Sequence, residues 1–205
     1  MITLNYPFSQ SKERESLEII ASICRTGGVV VYPTETFYAI GGDALNEKLG
    51  RHISSIKNRP PEKSFPTIIG DLQSLDKLIS HWPENARETA EKYWPGALTM
   101  ILPGRKTLPA AITGNDGSIA VRWSPHPLIN DLAKLLHTPL ISTSANLSRQ
   151  PPVRKASAIA PEIIAETDLL IISDYDDDPD PRPSTIIDAR VNPPLLLRPG
   201  AVTIN

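Results

Sequence analysis

A chain of 205 residues with 40% hydrophobic and 21% charged side chains has the composition of a folded globular protein, which excludes a disordered or fibrous chain. Its net charge of −2 gives no general attraction to nucleic acid, so such binding needs a local basic patch. The sequence has no apolar run of the roughly 20 residues that span a membrane, no signal-peptide layout at its start, and a single cysteine. We therefore expect one cytoplasmic α/β domain over residues 1–205, with two tightly packed lobes as the alternative.

Apolar periodicity and turn signals predict alternating helices and strands. Leu17, Ile20 and Cys24 recur at helical spacing before Thr26-Gly27-Gly28, and the apolar run VVVYP then predicts a buried strand. Helices are predicted over residues 11–25, 47–57, 71–80, 84–93 and 126–137. Strands are predicted over residues 29–33, 67–70, 98–103, 118–123, 139–146, 169–172, 184–189 and 195–200. This order is typical of an α/β fold.

Charge is concentrated in KNRPPEK, where Lys57, Arg59 and Lys63 share seven positions with two prolines. Four other segments with hydroxyls, an amide or an arginine flank predicted strands: TET (34–36), STSAN (142–146), PST (183–185) and LRPG (197–200). Ligands of open α/β sheets gather at the carboxyl ends of strands, so we expect these segments to converge. Together they predict an anion site. For any one segment alone, helix capping, turn chemistry or a cation at a helix C-terminus is the alternative.

The motifs of several common enzyme classes are missing from the sequence. It contains no Walker-type loop, no G-x-G-x-x-G after a strand and no G-x-S-x-G elbow. The four histidines lack metal-ligand spacing, and Cys24 on an apolar helix face predicts a buried thiol rather than a nucleophile. The aspartate run at 174–181 lacks the layout of a calcium loop and predicts a solvated loop.

Taken together, the polar segments resemble the YrdC/Sua5 family, the L-threonylcarbamoyladenylate synthases. GGVVVYPTETFYAIGGDA is similar to the opening signature of the family, Lys57 and Arg59 to its Lys-x-Arg pair, and Ser144 and Asn146 to its Ser-x-Asn pair. Four further segments match in the same order: YWPGALTMILP, SIAVRWSPHP, PSTIID and LLRPG. The resemblance covers about residues 15–202 and is to the short, single-domain members of the family.

The resemblance implies a fold and a reaction. The fold is a single-domain, twisted open α/β sheet of mixed parallel and antiparallel strands with a concave, positively charged cleft. The reaction joins L-threonine, bicarbonate and ATP into threonylcarbamoyl-AMP and pyrophosphate, for the threonylcarbamoyladenosine modification of tRNA. ATP brings Mg²⁺, no protein-ligated metal is expected, and a separate threonylcarbamoyl transferase complex uses the product on tRNA. A carbamate of threonine attacks phosphorus, so catalysis requires cations that align anions and no protein nucleophile.

The resemblance also assigns residues to the site. The implied catalytic residues are Lys57, Arg59, Ser144 and Asn146. The residues implied near ATP are Lys57, Arg59, Ser118, Asn146, Arg154 and Arg198. The residues implied near L-threonine are Thr34, Lys63, Arg122, Ser144 and Ser184, with Arg122 facing the carboxylate.

Three positions depart from the family pattern, and two other functions stay open. Ala39 replaces a glycine, Ser64-Phe65 replaces Pro-Leu, and Arg149 replaces a frequent glycine. One alternative function is binding of tRNA or double-stranded RNA through basic residues on a concave face. The other is that of a noncatalytic paralogue that binds nucleotide.

The two cations of the Lys-x-Arg pair are expected to be exposed. Exposed site cations contribute little to folding. Lys57→Ala or Arg59→Ala is therefore expected to lower turnover far more than stability.

Overall fold

A ten-stranded sheet runs through the part of the chain that the computed structural model describes, residues 1–60, 62–173 and 182–204. Its strands are β1 Ile2–Tyr6, β2 Val30–Tyr32, β3 Ala39–Asp43, β4 Thr67–Ile69, β5 Leu98–Pro103, β6 Ser118–Trp123, β7 Leu140–Ser144, β8 Leu169–Ser173, β9 Thr185–Asp188 and β10 Leu195–Arg198. They lie in the order β1-β8-β2-β3-β7-β4-β6-β5-β9-β10. The aspartate run at 174–181, predicted as a loop, lies outside the described residues.

The sheet mixes parallel and antiparallel pairs. β8 is parallel to β1 and β2, whereas β3 is antiparallel to both β2 and β7. β7 is antiparallel to β4, β4 is parallel to β6, and β5 pairs antiparallel with β6 and parallel with β9. The prediction of a mixed, open sheet is confirmed. One consequence is that β7 and β6 run in opposite directions.

Six α-helices connect the strands within the described residues: α1 Glu13–Arg25, α2 Glu47–Ile56, α3 Leu72–Leu75, α4 Glu84–Tyr93, α5 Pro127–Leu136 and α6 Pro161–Ala165. The Asn46 side chain caps α2 by accepting two backbone N–H groups of its first turn. Pro127 begins α5, where its missing N–H costs nothing. The predicted helix over 71–80 shrinks to α3, because Ile79 instead forms a β-bridge with Gly104. Within the described ranges, every helix is too short or too polar to pass through a bilayer.

The two faces of the sheet are covered differently. On one face, α2, α3, α4 and α6 bury a large apolar cluster around Ile40, Ile69 and Met100. On the other face, α1 and α5 pack on a smaller cluster that includes Val30 and Ile68. Polar side chains of β5, β6 and β10 line a cavity on this second face. The second face therefore carries both a packed apolar part and a polar part that faces solvent.

Cys24 on α1 is a core group. It is buried in the smaller apolar cluster, and burial raises the pKa of its thiol to about 12. A thiol with so high a pKa is unreactive at neutral pH. The prediction of a buried, structural thiol is confirmed.

Sequence patterning does not predict β1, β3 or α6, and β3 shows why. β3 contains Gly41 and Gly42, and glycine is depleted in strands. A Cβ added at Gly41 would lie 1.7 Å from the carbonyl oxygen of Ile141 on β7. The Tyr32 hydroxyl on β2 donates to the same carbonyl at 3.0 Å. Gly41 therefore gives room for a contact that crosses β3 from β2 to β7.

Gly41→Ala is expected to lower the free energy of unfolding by about 2–3 kcal/mol, because the new methyl group overlaps a backbone carbonyl of the paired strand. Urea denaturation followed by circular dichroism measures the change. Gly117→Ala is the control, since its Cβ would meet no atom within 4 Å and its cost reflects only a φ of +76°, about 1 kcal/mol. Equal losses for the two variants would contradict the steric explanation.

Candidate functional site

Nine of the eleven residues predicted for the site line two adjoining cavities. The loop cavity, of about 600 Å³, is lined in part by Lys57, Arg59, Lys63, Ser144 and Asn146. The sheet cavity, of about 290 Å³, is lined in part by Thr34, Arg59, Arg122, Ser144, Ser184 and Arg198. Arg59 and Ser144 line both cavities, so the two form one cleft.

The predicted site residues do not meet at the carboxyl ends of parallel strands, where ligands of open α/β sheets gather. Ser144 ends β7, whereas Arg122 lies near the end of β6, which runs in the opposite direction. The sheet cavity forms instead across one face of the sheet. Leu140, Ile68 and Arg122 are successive cross-strand neighbours on that face. The segments therefore converge as expected, but across a face of the mixed sheet and not at a shared carboxyl edge of parallel strands.

The end of α2 sets the relation between Lys57 and Arg59. Asn58 between them has a φ of 48°, in the left-handed region. The N–H of Asn58 donates to the carbonyl of Ser55 at 3.1 Å, and the N–H of Arg59 donates to the carbonyl of Ser54 at 2.9 Å. These two bonds form a Schellman motif, in which asparagine is accepted after glycine. The motif ends the helix while keeping both cations at the cleft.

Lys57 joins this helix end to the loop after β7. Its amine donates to the backbone carbonyls of Ser144 and Asn146, and its own carbonyl accepts from the N–H of Ser148 at 2.9 Å. Lys57 is only 3% exposed. Burial, with a smaller contribution from the charge of Arg59, lowers the pKa of Lys57 to about 8. The expectation that the Lys57 side chain is exposed is wrong, so the argument that Lys57 contributes little to folding loses its basis.

Arg59 is held by the turn that follows it. Its guanidinium donates to the carbonyls of Lys63 and Ser64, at 3.0 Å and 2.8 Å. Its Cζ lies 4.9 Å from the centre of the Phe65 ring, which is fully buried. Of the departure at Ser64-Phe65, the phenylalanine supplies an aromatic surface to Arg59, whereas the carbonyl at position 64 is a backbone group that any residue there offers. Burial lowers the pKa of Arg59.

Asn146 organises the loop after β7. Its amide nitrogen donates to the carbonyls of Leu147 and Gln150, at 3.0 Å and 2.6 Å. Its amide oxygen is buried and accepts no hydrogen bond from the residues that the structure describes. Arg149 in this loop has a φ of 71°, a conformation that glycine adopts most easily. The arginine therefore carries backbone strain that the frequent glycine of the family pattern avoids.

Arg122 and Arg198 both line the sheet cavity. The guanidinium of Arg198 donates to the carbonyl and the hydroxyl of Ser184, at 2.7 Å and 3.2 Å. Ser184 Oγ lies 2.9 Å from Oγ1 of Thr99 on β5. Burial, followed by the charge of Arg122, lowers the pKa of Arg198. Two arginines that repel each other across one cavity favour an anion between them.

Sequence reasoning missed Glu35 and Ser124. Nη1 of Arg122 lies 2.7 Å from Oε1 of Glu35, and the hydroxyl of Ser124 donates to Oε2 at 2.6 Å. Arg122 has five N–H donors, so this pairing leaves others for a ligand. The signal in the sequence was a lone carboxylate inside the hydroxyl-rich segment 34–36.

Thr34 lines the sheet cavity, but its hydroxyl serves its own loop. Oγ1 donates to the carbonyl of Phe37 at 2.7 Å and accepts from the N–H groups of Thr36 and Phe37, each at 3.2 Å. These bonds form a turn of the kind that threonine hydroxyls stabilise. The turn carries Glu35 to Arg122.

Two predicted residues line neither cavity. Ser118 begins β6, four residues before Arg122, which corresponds to about 13 Å along a strand. Arg154 lines a third cavity, of about 740 Å³, together with Leu170 and Ile172. These two apolar side chains belong to or pack on the cluster of the opposite face. The structure does not bring Ser118 or Arg154 together with the other nine residues.

The donor set of the cleft suits anions. Among the described residues, no three His, Cys, Asp or Glu side chains lie close enough together to hold a metal ion. The cleft offers arginine, lysine, hydroxyl and amide groups instead. Such groups bind phosphate and carboxylate oxygens and stabilise charge that develops on them.

Fold and site together define a mixed α/β protein with a cleft that is lined by cationic, hydroxyl and amide side chains. The chain belongs to the Sua5_yciO_yrdC family, whose model, described as "Telomere recombination", matches residues 22–200. It is 33% identical over 195 residues to the threonylcarbamoyl-AMP synthase of Pyrococcus abyssi, which covers 94% of this chain and 56% of that protein. It is 34% identical over 151 residues to the threonylcarbamoyl-AMP synthase of Stenotrophomonas maltophilia, which covers 73% of this chain and 81% of that protein. The family resemblance seen in the sequence is confirmed.

Solved structures support the same fold. Sua5 of P. abyssi complexed with L-threonine matches with a TM-score of 0.86 and 32% identity, over 97% of this chain and 57% of that chain. YciO of Escherichia coli matches with a TM-score of 0.79 and 26% identity, over 97% of this chain and 94% of that chain. The chain thus spans about half the length of the P. abyssi relative and nearly the whole of YciO.

Asn58→Ala is expected to lower the free energy of unfolding by about 1 kcal/mol, because alanine adopts the left-handed conformation less readily than asparagine. Asn58→Gly is the matched control and should retain the stability of the unsubstituted protein. Thermal unfolding followed by circular dichroism measures both. A loss as large for Asn58→Gly as for Asn58→Ala would assign the effect to a side-chain contact instead of the backbone.

Proposed function

We propose that this protein is an L-threonylcarbamoyladenylate synthase, a nucleotidyltransferase that forms threonylcarbamoyl-AMP and pyrophosphate from L-threonine, bicarbonate and ATP. The observation that carries the proposal is the cleft, which gathers Lys57, Arg59, Arg122 and Arg198 with hydroxyl and amide groups. Relatives named threonylcarbamoyl-AMP synthase and a relative complexed with L-threonine support it. Because the chain spans about half of the P. abyssi relative, the activity of that whole protein is proposed for this chain.

The proposal gives the loop cavity to the phosphates of ATP. Its lining includes the basic residues Lys57, Arg59, Lys63 and Arg149. Lysine and arginine neutralise phosphate oxygens through charge-assisted hydrogen bonds. The buried amide oxygen of Asn146 is an acceptor for a donor group of the nucleotide. Mg²⁺ enters on the phosphate oxygens of ATP, in the manner usual for nucleotide sites.

The sheet cavity receives L-threonine in this proposal. It has about half the volume of the loop cavity, which suits a small amino acid. Arg122 faces the carboxylate, and the hydroxyls of Ser144 and Ser184 lie among the lining groups. Arg59 lines both cavities and therefore stands between the two substrates.

The reaction then needs alignment rather than a protein nucleophile. Bicarbonate takes up a proton and releases water to give CO2, and the amine of L-threonine then adds to the carbon of CO2 and loses a proton to give a carbamate. A carbamate oxygen forms a bond to the α-phosphorus of ATP as the bond to pyrophosphate breaks. The cations hold two anions that repel each other and stabilise the charge that develops. Because Ser118 and Arg154 line neither cavity, the proposal gives them no contact with the reacting atoms.

The proposal extends to the partners of the protein. The product is an activated acyl-adenylate, which must pass to an enzyme that transfers the threonylcarbamoyl group. We assign that role to a threonylcarbamoyl transferase complex that modifies tRNA, in the cytoplasm. Direct binding of tRNA or double-stranded RNA is an alternative use of the basic side chains, and it predicts affinity that falls steeply with salt.

With Mg²⁺ present, the purified protein is expected to release pyrophosphate from ATP only when both L-threonine and bicarbonate are added. Arg59→Gln should lower this turnover by about 10²-fold or more, because a donor to the developing charge is lost. Arg51→Gln on the exposed side of α2 is the matched control and should keep full activity. Release that is independent of threonine, or a common loss in both variants, would contradict the proposal.

The affinity for ATP is expected to fall as the pH rises above about 8. The pKa of Lys57 is about 8 in the free protein, and bound phosphate favours its charged form, so ATP binding above this pH takes up a proton. Isothermal titration calorimetry from pH 7 to pH 9.5 measures the trend and the proton uptake. Lys57→Gln should remove the pH dependence. A profile with the same slope in Lys57→Gln would assign the titration to another group.

A further inference from the structure

Glu35 holds Arg122 from behind the sheet cavity. Nη1 of Arg122 lies 2.7 Å from Oε1 of Glu35, and the two side chains are only 9% and 20% exposed. The second oxygen, Oε2, accepts from the hydroxyl of Ser124 at 2.6 Å. Ser124 is fully buried, and its hydroxyl oxygen accepts from the N–H of His126 at 3.1 Å. Hydrogen bonds thus link the backbone before α5, Ser124 and Glu35, and an ion pair, in which Oε1 accepts no hydrogen bond from the described residues, links Glu35 to the guanidinium.

The positive charge of Arg198 repels the guanidinium of Arg122, and the contacts through Ser124 and Glu35 oppose this repulsion. Arg122 and Arg198 line the same cavity, and the charge of Arg122 contributes to the lowered pKa of Arg198. Nε and Nη2 of Arg198 both donate to the backbone carbonyl of Ser184, and these two hydrogen bonds hold Arg198 in place. Without Glu35, Arg122 would be a buried cation that has lost its counter-charge. Its guanidinium would then turn away from Arg198 and leave its present position.

The carboxylate of Glu35 is turned away from the cavity. Its two oxygens face Arg122 and Ser124. A carboxylate placed in the cavity would repel an anionic ligand, whereas one that touches the far side of the guanidinium does not block the near side. The remaining N–H groups of Arg122 can then form the paired hydrogen bonds that arginine makes to carboxylates.

We propose that Glu35, oriented by Ser124, is a positioning residue that fixes the guanidinium of Arg122 so that its remaining N–H groups face the carboxylate of the amino-acid substrate. This inference rests on the proposed function, because it takes the sheet cavity to be the amino-acid site. Glu35 itself has no contact with the substrate and transfers no proton.

The test compares the binding of L-threonine with that of L-threoninamide, which lacks the carboxylate charge, by calorimetry on the full chain. The unsubstituted protein should prefer L-threonine by at least about tenfold. Glu35→Gln should reduce this preference to within about threefold. In the pyrophosphate-release assay, the KM of the same variant for ATP should change by less than about twofold. Ser124→Ala should shift the preference in the same direction.

Two controls separate positioning from a general structural role. Asp116→Asn removes an ion pair of 2.6 Å to Arg190, outside the residues that line the cleft, and should leave the preference intact. The double variant Glu35→Gln with Arg122→Gln should show no further loss of preference beyond Arg122→Gln alone, because Glu35 acts through Arg122.

Unchanged or tighter binding of L-threonine by Glu35→Gln would overturn the inference, since removal of a mere counter-charge strengthens the attraction for an anion. If the unsubstituted protein prefers L-threonine and Glu35→Gln keeps that preference, only the positioning role fails. If the unsubstituted protein binds neither ligand, the proposed function fails, and the inference fails with it. If Glu35→Gln does not fold, the test relies on Ser124→Ala, which keeps both charges of the Glu35–Arg122 ion pair. An unchanged preference for L-threonine in Ser124→Ala would then overturn the inference.

Discussion

The amine of Lys57, placed between the carbonyls of Ser144 and Asn146, joins the end of α2 to the loop after β7. The contact connects segments 87 residues apart in the chain. A buried amine must keep its acceptors or lose its charge, so the positions of the helix end and of the loop are coupled. Arg59 and Asn146 take their places on either side of this contact. The loop cavity therefore depends on a side chain that acts first as a structural tie.

The second constraint is the crowding of positive charge in a chain whose net charge is −2. The protein meets it with a different partner for each arginine: carbonyls and the Phe65 ring for Arg59, Ser184 for Arg198, and Glu35 for Arg122. Glu35 compensates the charge of Arg122, whereas the partners named for Arg59 and Arg198 are neutral and only hold the guanidinium groups in place. Burial and the charge of Arg122 lower the pKa of Arg198, and an anion bound as proposed would offset both effects. Perturbed titration of this kind is typical of functional sites.

Prediction from the sequence succeeded where the signal was local. The helix predicted over 84–93 is α4 with the same bounds, and the strands predicted over 98–103 and 118–123 are β5 and β6. β3 was missed because it contains Gly41, a residue type that argues against a strand. The glycine is needed for a hydrogen bond between Tyr32 and Ile141, which are 109 residues apart. Arg154 was placed near the other cations, but it lines a cavity with side chains of the opposite face. Arg154 lies in the irregular segment after β7, and the sequence does not state against which face of the sheet such a segment packs.

The sequence by itself determined the order of most elements, the buried thiol of Cys24 and nine of the residues that line the cleft, because periodicity and residue chemistry are local properties. Only the tertiary structure decided that Lys57 is buried, that Glu35 pairs with Arg122, and that the cleft crosses a face of the sheet. Each of these depends on which distant segments become neighbours and on how much water they exclude. The burial of Lys57, the Glu35–Arg122 ion pair and the cleft exist only once the mixed sheet has formed, because each requires segments that are distant in the sequence to pack together.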